Sequence, residues 1–345
     1  MRNLIRYVLT GINDRGRFGS LPKINKNKRV WHGCLKTKRI LVTGASGFVG
    51  RPLVAALLRA GYAVRAVTRR QVSFPNSVET AIVPDLINPI DWYPILQGVD
   101  IVIHVAGMVH KKVPETAYSE FDHVNWIATQ RLADAAKEMG IERFVYISSV
   151  RAQVGVSAAQ AVREQDEPSP TNQYGRSKLA AEQAIRAAGV PFTIFRPVVI
   201  YGPHPKGNIR TLVRLARSSL PLPVASFTSR RSVLAVDNLI SAIIFALNNP
   251  VTIGETYLVA DSKAMTIGEI VTMLRKIQGR WSSTISIPQV IVRLLLMLCG
   301  RTDLWSRLSG NSVVDTSKLE SVGWRPTIDT YEGLRGMMRA EDGEP

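Results

Sequence analysis

The stretch Arg39-Ile40-Leu41-Val42-Thr43-Gly44-Ala45-Ser46-Gly47-Phe48-Val49-Gly50 decides the fold class. Its apolar first part has the length of a buried strand, and apolar pairs at 53–54 and 57–58 follow with helical spacing. The glycines therefore lie on a strand-to-helix turn. Gly44 permits the tight turn, Gly47 lets a pyrophosphate approach the backbone, and Gly50 allows the helix to pack closely on the strand. The pattern predicts a dinucleotide-binding unit.

Strand-like and helix-like patterns alternate from residue 38 to about residue 200. The further strand-like runs lie at 63–68, 79–83, 99–107, 143–147 and 192–197. Such alternation predicts an α/β fold, a Rossmann-type doubly wound parallel sheet over residues 38–200. After residue 200 the pattern becomes irregular and rich in Pro, Gly and Arg. We therefore predict a small C-terminal substrate lobe, mainly residues 201–340, that is partly interleaved with the first domain.

The pentapeptide Tyr174-Gly175-Arg176-Ser177-Lys178 carries the chemistry. In a helix, Tyr174 and Lys178 share one face, and an ammonium near a phenol lowers the pKa of the tyrosine toward neutrality. Such a tyrosine can act as a general acid or base on an alcohol oxygen. Ser149 ends a strand-like run 25 residues earlier. Ligands bind at strand ends in doubly wound sheets, so its hydroxyl is a candidate to hold a substrate oxygen.

Over residues 38–335 these features resemble the extended short-chain dehydrogenase/reductases, in particular the NAD(P)-dependent nucleotide-sugar epimerase/dehydratase family. The resemblance implies a Ser149/Tyr174/Lys178 triad with a nicotinamide cofactor. Tyr174 would exchange the substrate proton, Lys178 would bind the nicotinamide ribose, and Ser149 would hydrogen-bond the substrate. His104 would lie in a loop beneath the cofactor, where a structural role is expected. The cofactor-binding residues implied are Gly44, Ser46, Gly47, Phe48, Val49, Gly50, Asp85, Leu86, Ala106, Gly107, Tyr174 and Lys178.

The residues after the second strand bear on which nicotinamide cofactor is used. In this fold an acidic residue there holds the adenosine ribose and selects NAD, whereas an arginine accommodates the 2′-phosphate of NADP. Here the strand ends Thr68-Arg69-Arg70, without a carboxylate. NADP(H) is therefore favoured over NAD(H), and the alternative is that Arg69 and Arg70 are simply solvated.

The resemblance also implies which residues contact a UDP-sugar substrate. Arg231 is assigned to the nucleotide diphosphate and Asn208 to the same half of the substrate, because both match family segments. Sugar 4,6-dehydratases of this family carry an Asp-Glu pair just after the catalytic Ser or Thr. Here Val150 and Arg151 occupy those positions, which disfavours dehydration.

The most similar group of the family reduces UDP-4-keto-6-deoxy-N-acetylglucosamine at C4, making UDP-N-acetylquinovosamine in bacterial polysaccharide synthesis. A UDP-glucose or UDP-N-acetylglucosamine 4-epimerase is the alternative. A non-sugar alcohol dehydrogenase of the steroid or flavonoid type and a non-catalytic cofactor-binding protein are further alternatives. A homodimer is possible within this family.

Charge and composition restrict the remaining classes. The chain has 345 residues and a net charge of +17, of which residues 1–39 contribute 11 Lys or Arg and one Asp. We predict that residues 1–37 form a disordered basic extension; an organelle transit peptide and a weak contact with anionic membrane are the alternatives. No aromatic-interleaved basic motif follows, so no nucleic-acid partner is expected. The two cysteines can build neither a disulfide framework nor a zinc site, and a cytoplasmic location is expected.

One apolar segment, Ile285 to Cys299, is interrupted by Pro288 and Arg293. At about 15 residues it is too short to span a bilayer, so no stable membrane insertion is expected. We predict a buried helix of the C-terminal lobe. Docking on a membrane surface is the alternative.

Overall fold

The computed structural model describes residues 37–109, 118–205, 207–218, 220–281, 284–298, 300, 305 and 310–343. The predicted extension over residues 1–37 lies outside these ranges except for its last residue, and Lys206 lies outside them too. The predicted bounds of the two domains therefore stay predictions.

A parallel sheet forms the centre of the described chain. The strands are β1 (Arg39–Thr43), β2 (Ala63–Thr68), β3 (Val78–Ile82), β4 (Ile101–His104), β5 (Arg143–Ile147), β6 (Phe192–Pro197), β7 (Val199–Tyr201), β8 (Val233–Ala235) and β9 (Glu255–Val259). Seven of them pair in the order β3-β2-β1-β4-β5-β6-β9, all parallel. β7 and β8 form a separate parallel pair. The predicted doubly wound α/β sheet is confirmed, and β9 returns to it from beyond residue 200.

Helices cover both faces of the sheet and build the C-terminal part. They are α1 (Gly50–Arg59), α2 (Tyr93–Leu96), α3 (Tyr118–Phe121), α4 (Ala128–Glu138), α5 (Val150–Gln153), α6 (Gln173–Ala188), α7 (Gly207–Arg217), α8 (Val236–Leu247), α9 (Ile267–Ile277), α10 (Gln289–Leu298), α11 (Ser317–Ser321) and α12 (Thr330–Asp342). A π-helix (Asp122–Ile127) leads into α4. No helix in the described ranges is both long and apolar enough to cross a bilayer.

The period-2 alternation of the strands divides the core into two clusters. In β1, Leu41 packs in one cluster, whereas Ile40 and Val42 pack in the other. Successive strand side chains point to opposite faces, so each strand supplies apolar groups to both. Because helices cover both faces of the sheet, residues on both sides of a central strand are apolar. The sequences of the central strands are therefore apolar runs and do not alternate between apolar and polar residues.

Two sequence-based predictions differ from the structure in their details. The strand predicted over 99–107 ends at His104, because the chain turns there into a loop at the carboxyl edge of the sheet. The amphipathic pattern from Asn125 to Met139 predicts a helix that begins at Asn125, but a π-helix that starts at Asp122 precedes α4. A π-helix departs from the 3.6-residue period, so a search for that period misses it.

The prediction of a buried helix within 285–299 is wrong about burial. The segment forms α10, but Val290 and Leu298 are each 76% exposed, and only Val292 among its described side chains is buried. The C-terminal part packs its own apolar cluster from other elements, including Tyr201, Leu274 and Met337. None of the described side chains of α10 belongs to that cluster.

Candidate active site

The candidate site lies at the carboxyl ends of β1, β4 and β5. The strand order reverses between β1 and β4, which is the switch point where doubly wound sheets bind ligands. The glycine turn follows β1, the loop with Ala106 and Gly107 follows β4, and Ser149 follows β5. Sequence-distant motifs therefore meet at one edge of the sheet.

The turn after β1 can only be built from glycine at two positions. Gly44 has φ of +67°, and a Cβ there would lie 2.9 Å from the backbone of Ala106. A Cβ on Gly50 would lie 2.1 Å from the carbonyl oxygen of Gly44. Helix α1 follows with no side-chain cap and no acidic residue in its first turn. Its first backbone N–H groups can thus donate hydrogen bonds to an anion, and the turn fits a dinucleotide pyrophosphate.

The ends of β2 and β3 bring two of the predicted cofactor residues together. Nη1 of Arg69 lies 2.6 Å from Oδ2 of Asp85 in an exposed ion pair. Arg70 is exposed, and its carbonyl accepts a hydrogen bond from Thr68 at 2.8 Å. Leu86 is buried in the core. Arg69 is therefore already paired with a carboxylate. A cofactor phosphate that binds Arg69 would compete with Asp85 for its guanidinium.

Ser149 and its neighbour Ser148 hold different parts of the site. Ser149 caps α5, where its Oγ accepts from the backbone N–H of Arg151 at 3.1 Å. The Ser149 hydroxyl also hydrogen-bonds the Tyr174 hydroxyl, an interaction that lowers the pKa of that phenol. Ser148 donates instead to Glu182 at 2.5 Å. The hydroxyls of two predicted site residues, Ser149 and Tyr174, are therefore in contact.

Helix α6 carries Tyr174 and Lys178 and approaches α5 closely. Asn172 caps the helix, its side chain accepting from the N–H of Gly175 at 2.8 Å. A Cβ on Gly175 would lie 2.2 Å from the carbonyl oxygen of Arg151. Glycine at this place in the pentapeptide is thus what lets the tyrosine reach Ser149. Sequence reasoning singled out the neighbours of Gly175 but not this role.

Lys178 is buried and does not contact Tyr174 directly. Its Nζ donates to the carbonyl of Ile147 at 2.8 Å and to the hydroxyl of Tyr146 at 3.1 Å. Burial lowers the pKa of Lys178 to about 7, and the Glu182 carboxylate one turn along opposes that shift. Lys178 is therefore poised between its two protonation states near neutral pH.

The expected acidification of Tyr174 is not found in the structure. Burial raises the pKa of Tyr174, and the Ser149 hydrogen bond and the Arg151 charge counter only part of that rise. The prediction assumed that Lys178 stabilises the phenolate, but its ammonium is turned to Tyr146 and Ile147. The cation that acts on Tyr174 here is Arg151.

Asn125 connects three parts of the site and was not predicted. It lies in the π-helix, and its Oδ1 accepts from the N–H of Met108 at 2.7 Å. Its Nδ2 donates to Met108 O at 3.0 Å and to Ser177 Oγ at 3.1 Å. Asn125 thereby ties the loop after β4 to α6. A Cβ on Gly107 would lie 3.0 Å from its Oδ1, so this loop also depends on glycine.

His104 is held in one neutral tautomer. Thr129 donates to the carbonyl of Asn125, so its Oγ1 accepts from His104 Nε2 at 2.9 Å. His104 Nδ1 then accepts from the Thr43 hydroxyl at 2.6 Å. Burial, with a smaller effect of the Lys178 charge, lowers the pKa of His104 to about 3. Both ring nitrogens are occupied, which leaves the imidazole a structural role.

A buried ion pair lies beneath α6. Glu182 and Arg196 are 0% and 4% exposed, and two contacts of 2.9 and 2.6 Å join them in a bidentate pair. Arg196 also donates to Gln153 at the end of α5. The pair connects α6, β6 and α5. Sequence reasoning missed it, because both residues look like ordinary charges on a helix and a strand.

The predicted substrate residues lie in the C-terminal part, with Arg231 approaching the triad. Arg231 exchanges backbone hydrogen bonds with Met265, and its guanidinium donates to the carbonyl of Gly310 at 3.2 Å. Burial and then the charge of Arg151 lower the pKa of Arg231. Arg151 itself donates to the carbonyl of Gly155. Asn208 is exposed at the start of α7. Two partly buried guanidiniums thus make this side of the site positive.

Known proteins are similar to this chain in sequence. The NAD dependent epimerase/dehydratase family matches residues 40–260. A UDP-glucose 4-epimerase of Vibrio cholerae is 31% identical over 88% of this chain and 95% of its own length. A ceramide reductase of Caulobacter vibrioides is 35% identical over 61% of this chain, a match that spans 62% of that protein.

Solved structures share the fold. The UDP-glucuronic acid 4-epimerase of Bacillus cereus, determined in complex with NAD, superposes with a TM-score of 0.72 at 23% identity. The match covers 88% of this chain and 99% of that one. The family match, the relative of nearly full length and the parallel sheet agree, so this chain belongs to the NAD dependent epimerase/dehydratase family of extended short-chain dehydrogenase/reductases.

Proposed function

We propose that this protein is an NAD(P)-dependent nucleotide-sugar oxidoreductase that reduces C4 of a UDP-4-keto-6-deoxy-N-acetylhexosamine. The observation that carries the proposal is the Ser149–Tyr174 hydrogen bond beside buried Lys178, at the carboxyl edge of the sheet next to the glycine turn. This arrangement suits proton exchange at one alcohol or keto oxygen.

The residues of the site would divide the work as follows. A bound nicotinamide supplies or accepts the hydride. Ser149 holds the substrate oxygen by hydrogen bonding, and Tyr174 gives a proton to that oxygen as its negative charge develops. Lys178, with a pKa near 7, would hold the cofactor ribose, and Arg151 supplies the positive charge that acts on Tyr174. Gly44, Gly47 and the N-terminus of α1 hold the pyrophosphate.

The positive side of the site supports a diphosphate-bearing substrate and opposes elimination. Arg231 would hold the nucleotide diphosphate and Asn208 would contact the same half of the substrate, far from the reacting carbon. Arg151 occupies the place where dehydratases carry a carboxylate, and its charge acts on Tyr174. A guanidinium cannot remove a proton from the sugar near neutral pH, so dehydration lacks its base.

The direction of the reaction rests on the cofactor. Arg69 and Arg70 after β2 support NADPH, which a net reductase would consume. The second candidate is a UDP-sugar 4-epimerase, which retains NAD. It is favoured by the Vibrio cholerae relative of nearly full length and by the Arg69–Asp85 pair, which leaves Arg69 partly neutralised.

One set of assays separates the candidates. Supplied with UDP-4-keto-6-deoxy-N-acetylglucosamine and NADPH, a reductase consumes the two in equal amounts and yields the C4 alcohol. An epimerase interconverts UDP-glucose and UDP-galactose without net cofactor consumption and is purified with NAD bound. Oxidation of NADPH only with a keto-ceramide would instead favour lipid reduction, the activity in the name of the Caulobacter relative.

The cofactor assignment has its own test. Arg69→Ala should weaken NADPH binding about tenfold and NADH binding little, because a charge-assisted contact to phosphate is worth roughly 1–2 kcal/mol. The matched control is Arg59→Ala, at the end of α1. Equal losses for both cofactors, or a wild-type preference for NADH, would contradict the NADPH assignment.

A further inference from the structure

Helix α10 exposes an apolar face that the fold leaves uncovered. At 100° per residue, Val290, Ile291, Leu294, Met297 and Leu298 fall within a sector of about 120°. All five are exposed, whereas Val292 on the opposite side is buried. The exposed side chains therefore form one continuous apolar sector along the helix. The term α10 face is used for these five residues together with Trp281, which is 92% exposed.

The segment leading into α10 pairs with the segment that follows α7. Leu222 pairs with Thr284, the N–H of Ile285 bonds to Leu222, and Gln289 donates to the carbonyl of Ser226 at 2.7 Å. The segment before that pairing carries Leu220, which is 71% exposed. Exposed Leu220 and Trp281 therefore lie two and three residues before the paired Leu222 and Thr284.

Cations lie in the segment that forms this face. Residues 270–298 carry Arg275, Lys276, Arg280 and Arg293 and no Asp or Glu, and of these four only Arg275 is buried. Arg280 holds the end of α7 by donating to the carbonyl of Arg217, and Arg293 borders the apolar sector on α10. Arg217 pairs with Asp342, which comes from α12. Exposed Lys276, Arg280 and Arg293 accompany the apolar face.

These features fit a bilayer surface of negative charge. An interfacial helix buries its apolar side chains at the boundary of headgroups and acyl chains, while flanking Lys and Arg meet anionic lipid headgroups. With ten residues, α10 is about 15 Å long, half of what a bilayer-spanning helix needs. A second copy of the chain is a poorer occupant, because two faces bordered by cations would repel each other.

We propose that the α10 face docks this protein on the surface of an anionic membrane. Apolar insertion supplies one part of the attraction and the surrounding cations supply the other. The docking does not depend on which substrate the active site takes, since none of these side chains belongs to the triad or to the glycine turn.

Vesicle binding by the full chain tests the docking. We expect co-sedimentation with vesicles of phosphatidylcholine and phosphatidylglycerol, little with phosphatidylcholine alone, and weaker binding as salt is raised. The double variant Leu294→Ser/Leu298→Ser should lower the partition coefficient at least tenfold, because two exposed leucines lose their insertion. It changes no charge, so contributions from the basic residues 1–39 are left intact.

The control is Ile82→Ser, which makes the same kind of change at an exposed position on edge strand β3. It should bind vesicles like the wild type, and both variants should keep wild-type turnover. Failure of the wild type to bind anionic vesicles, or unchanged binding by the double variant, overturns the proposal. A wild-type dimer in gel filtration that the double variant dissociates, without vesicle binding, would assign the face to a second copy instead.

Discussion

Helices α6 and α10 show that apolar content does not decide where a helix lies. α6 contains Lys178 and Glu182, yet both are buried, because each has a hydrogen-bond or ion-pair partner on a neighbouring strand. α10 is almost entirely apolar, yet most of its described side chains are exposed. Burial follows from the partners that the tertiary structure offers. The four predictions below test this contrast, each with a matched change on α10.

The largest effect is expected at Tyr174. Tyr174→Phe keeps the ring and removes the hydroxyl that Ser149 bonds, so turnover should fall about 10²–10⁴-fold with cofactor binding retained. Steady-state kinetics on the substrate identified as above, with cofactor titration, measure both. Leu294→Ser on α10 should leave turnover unchanged. A Phe variant with more than half of the wild-type turnover would remove the tyrosine from the mechanism.

The second effect concerns the ion pair under α6. Glu182→Gln keeps the shape of the side chain but leaves Arg196 buried without its counter-charge. The free energy of unfolding should drop by about 3–5 kcal/mol. Urea unfolding measures it, and Leu298→Ser on α10 should change it by less than about 0.5 kcal/mol. Similar losses for the two variants would mean that α10 is packed as tightly as α6.

The third effect is a pH dependence that belongs to Lys178. Its pKa is lowered from 10.5 to about 7 on folding, so the unfolded chain binds more protons between these two values. The free-energy cost of burying the Lys178 ammonium is therefore largest below pH 7, and it decreases as the pH rises above 7. The free energy of unfolding of the wild type, relative to Lys178→Met, should rise from pH 7 to pH 9.

The rise should be at most about 1.4 kcal/mol per pH unit. Unfolding curves at several pH values for both proteins give the difference directly. Arg293→Met on α10 is the matched control, and its difference from the wild type should stay flat over the same range. A flat difference for Lys178→Met as well would show that the ammonium is solvated.

The smallest effect is expected on the apolar face itself. Met297→Ser should change the free energy of unfolding by less than about 0.5 kcal/mol, because an exposed side chain loses little packing. The matched change on α6 is Ile185→Ser, at a fully buried position, where about 2–5 kcal/mol should be lost. Thermal or urea unfolding compares the two. A loss above 2 kcal/mol at Met297 would mean that the α10 face is covered in solution.

Local patterns predicted the sheet well. The strands at 63–68, 143–147 and 192–197 have the predicted bounds, because each is a short run of mostly buried residues. The glycines lie on a strand-to-helix turn as predicted, and the structure also brings the hydroxyls of Ser149 and Tyr174 together. The role of Asn125 was not predicted, because the residue lies in a π-helix. The Glu182–Arg196 ion pair was not predicted either, because nothing in the sequence pairs two charges on different elements.

The sequence by itself determined the doubly wound α/β class and the turn that only glycine can make at Gly44 and Gly50. These depend on backbone sterics, on the period of apolar residues and on side-chain chemistry, all of which act over a few residues. Only the tertiary structure decided where each charge and each apolar face would lie. It turned Lys178 toward Tyr146, placed Arg151 beside Tyr174 and left α10 on the surface. Burial and electrostatics depend on neighbours that are distant in sequence, and no local pattern contains them.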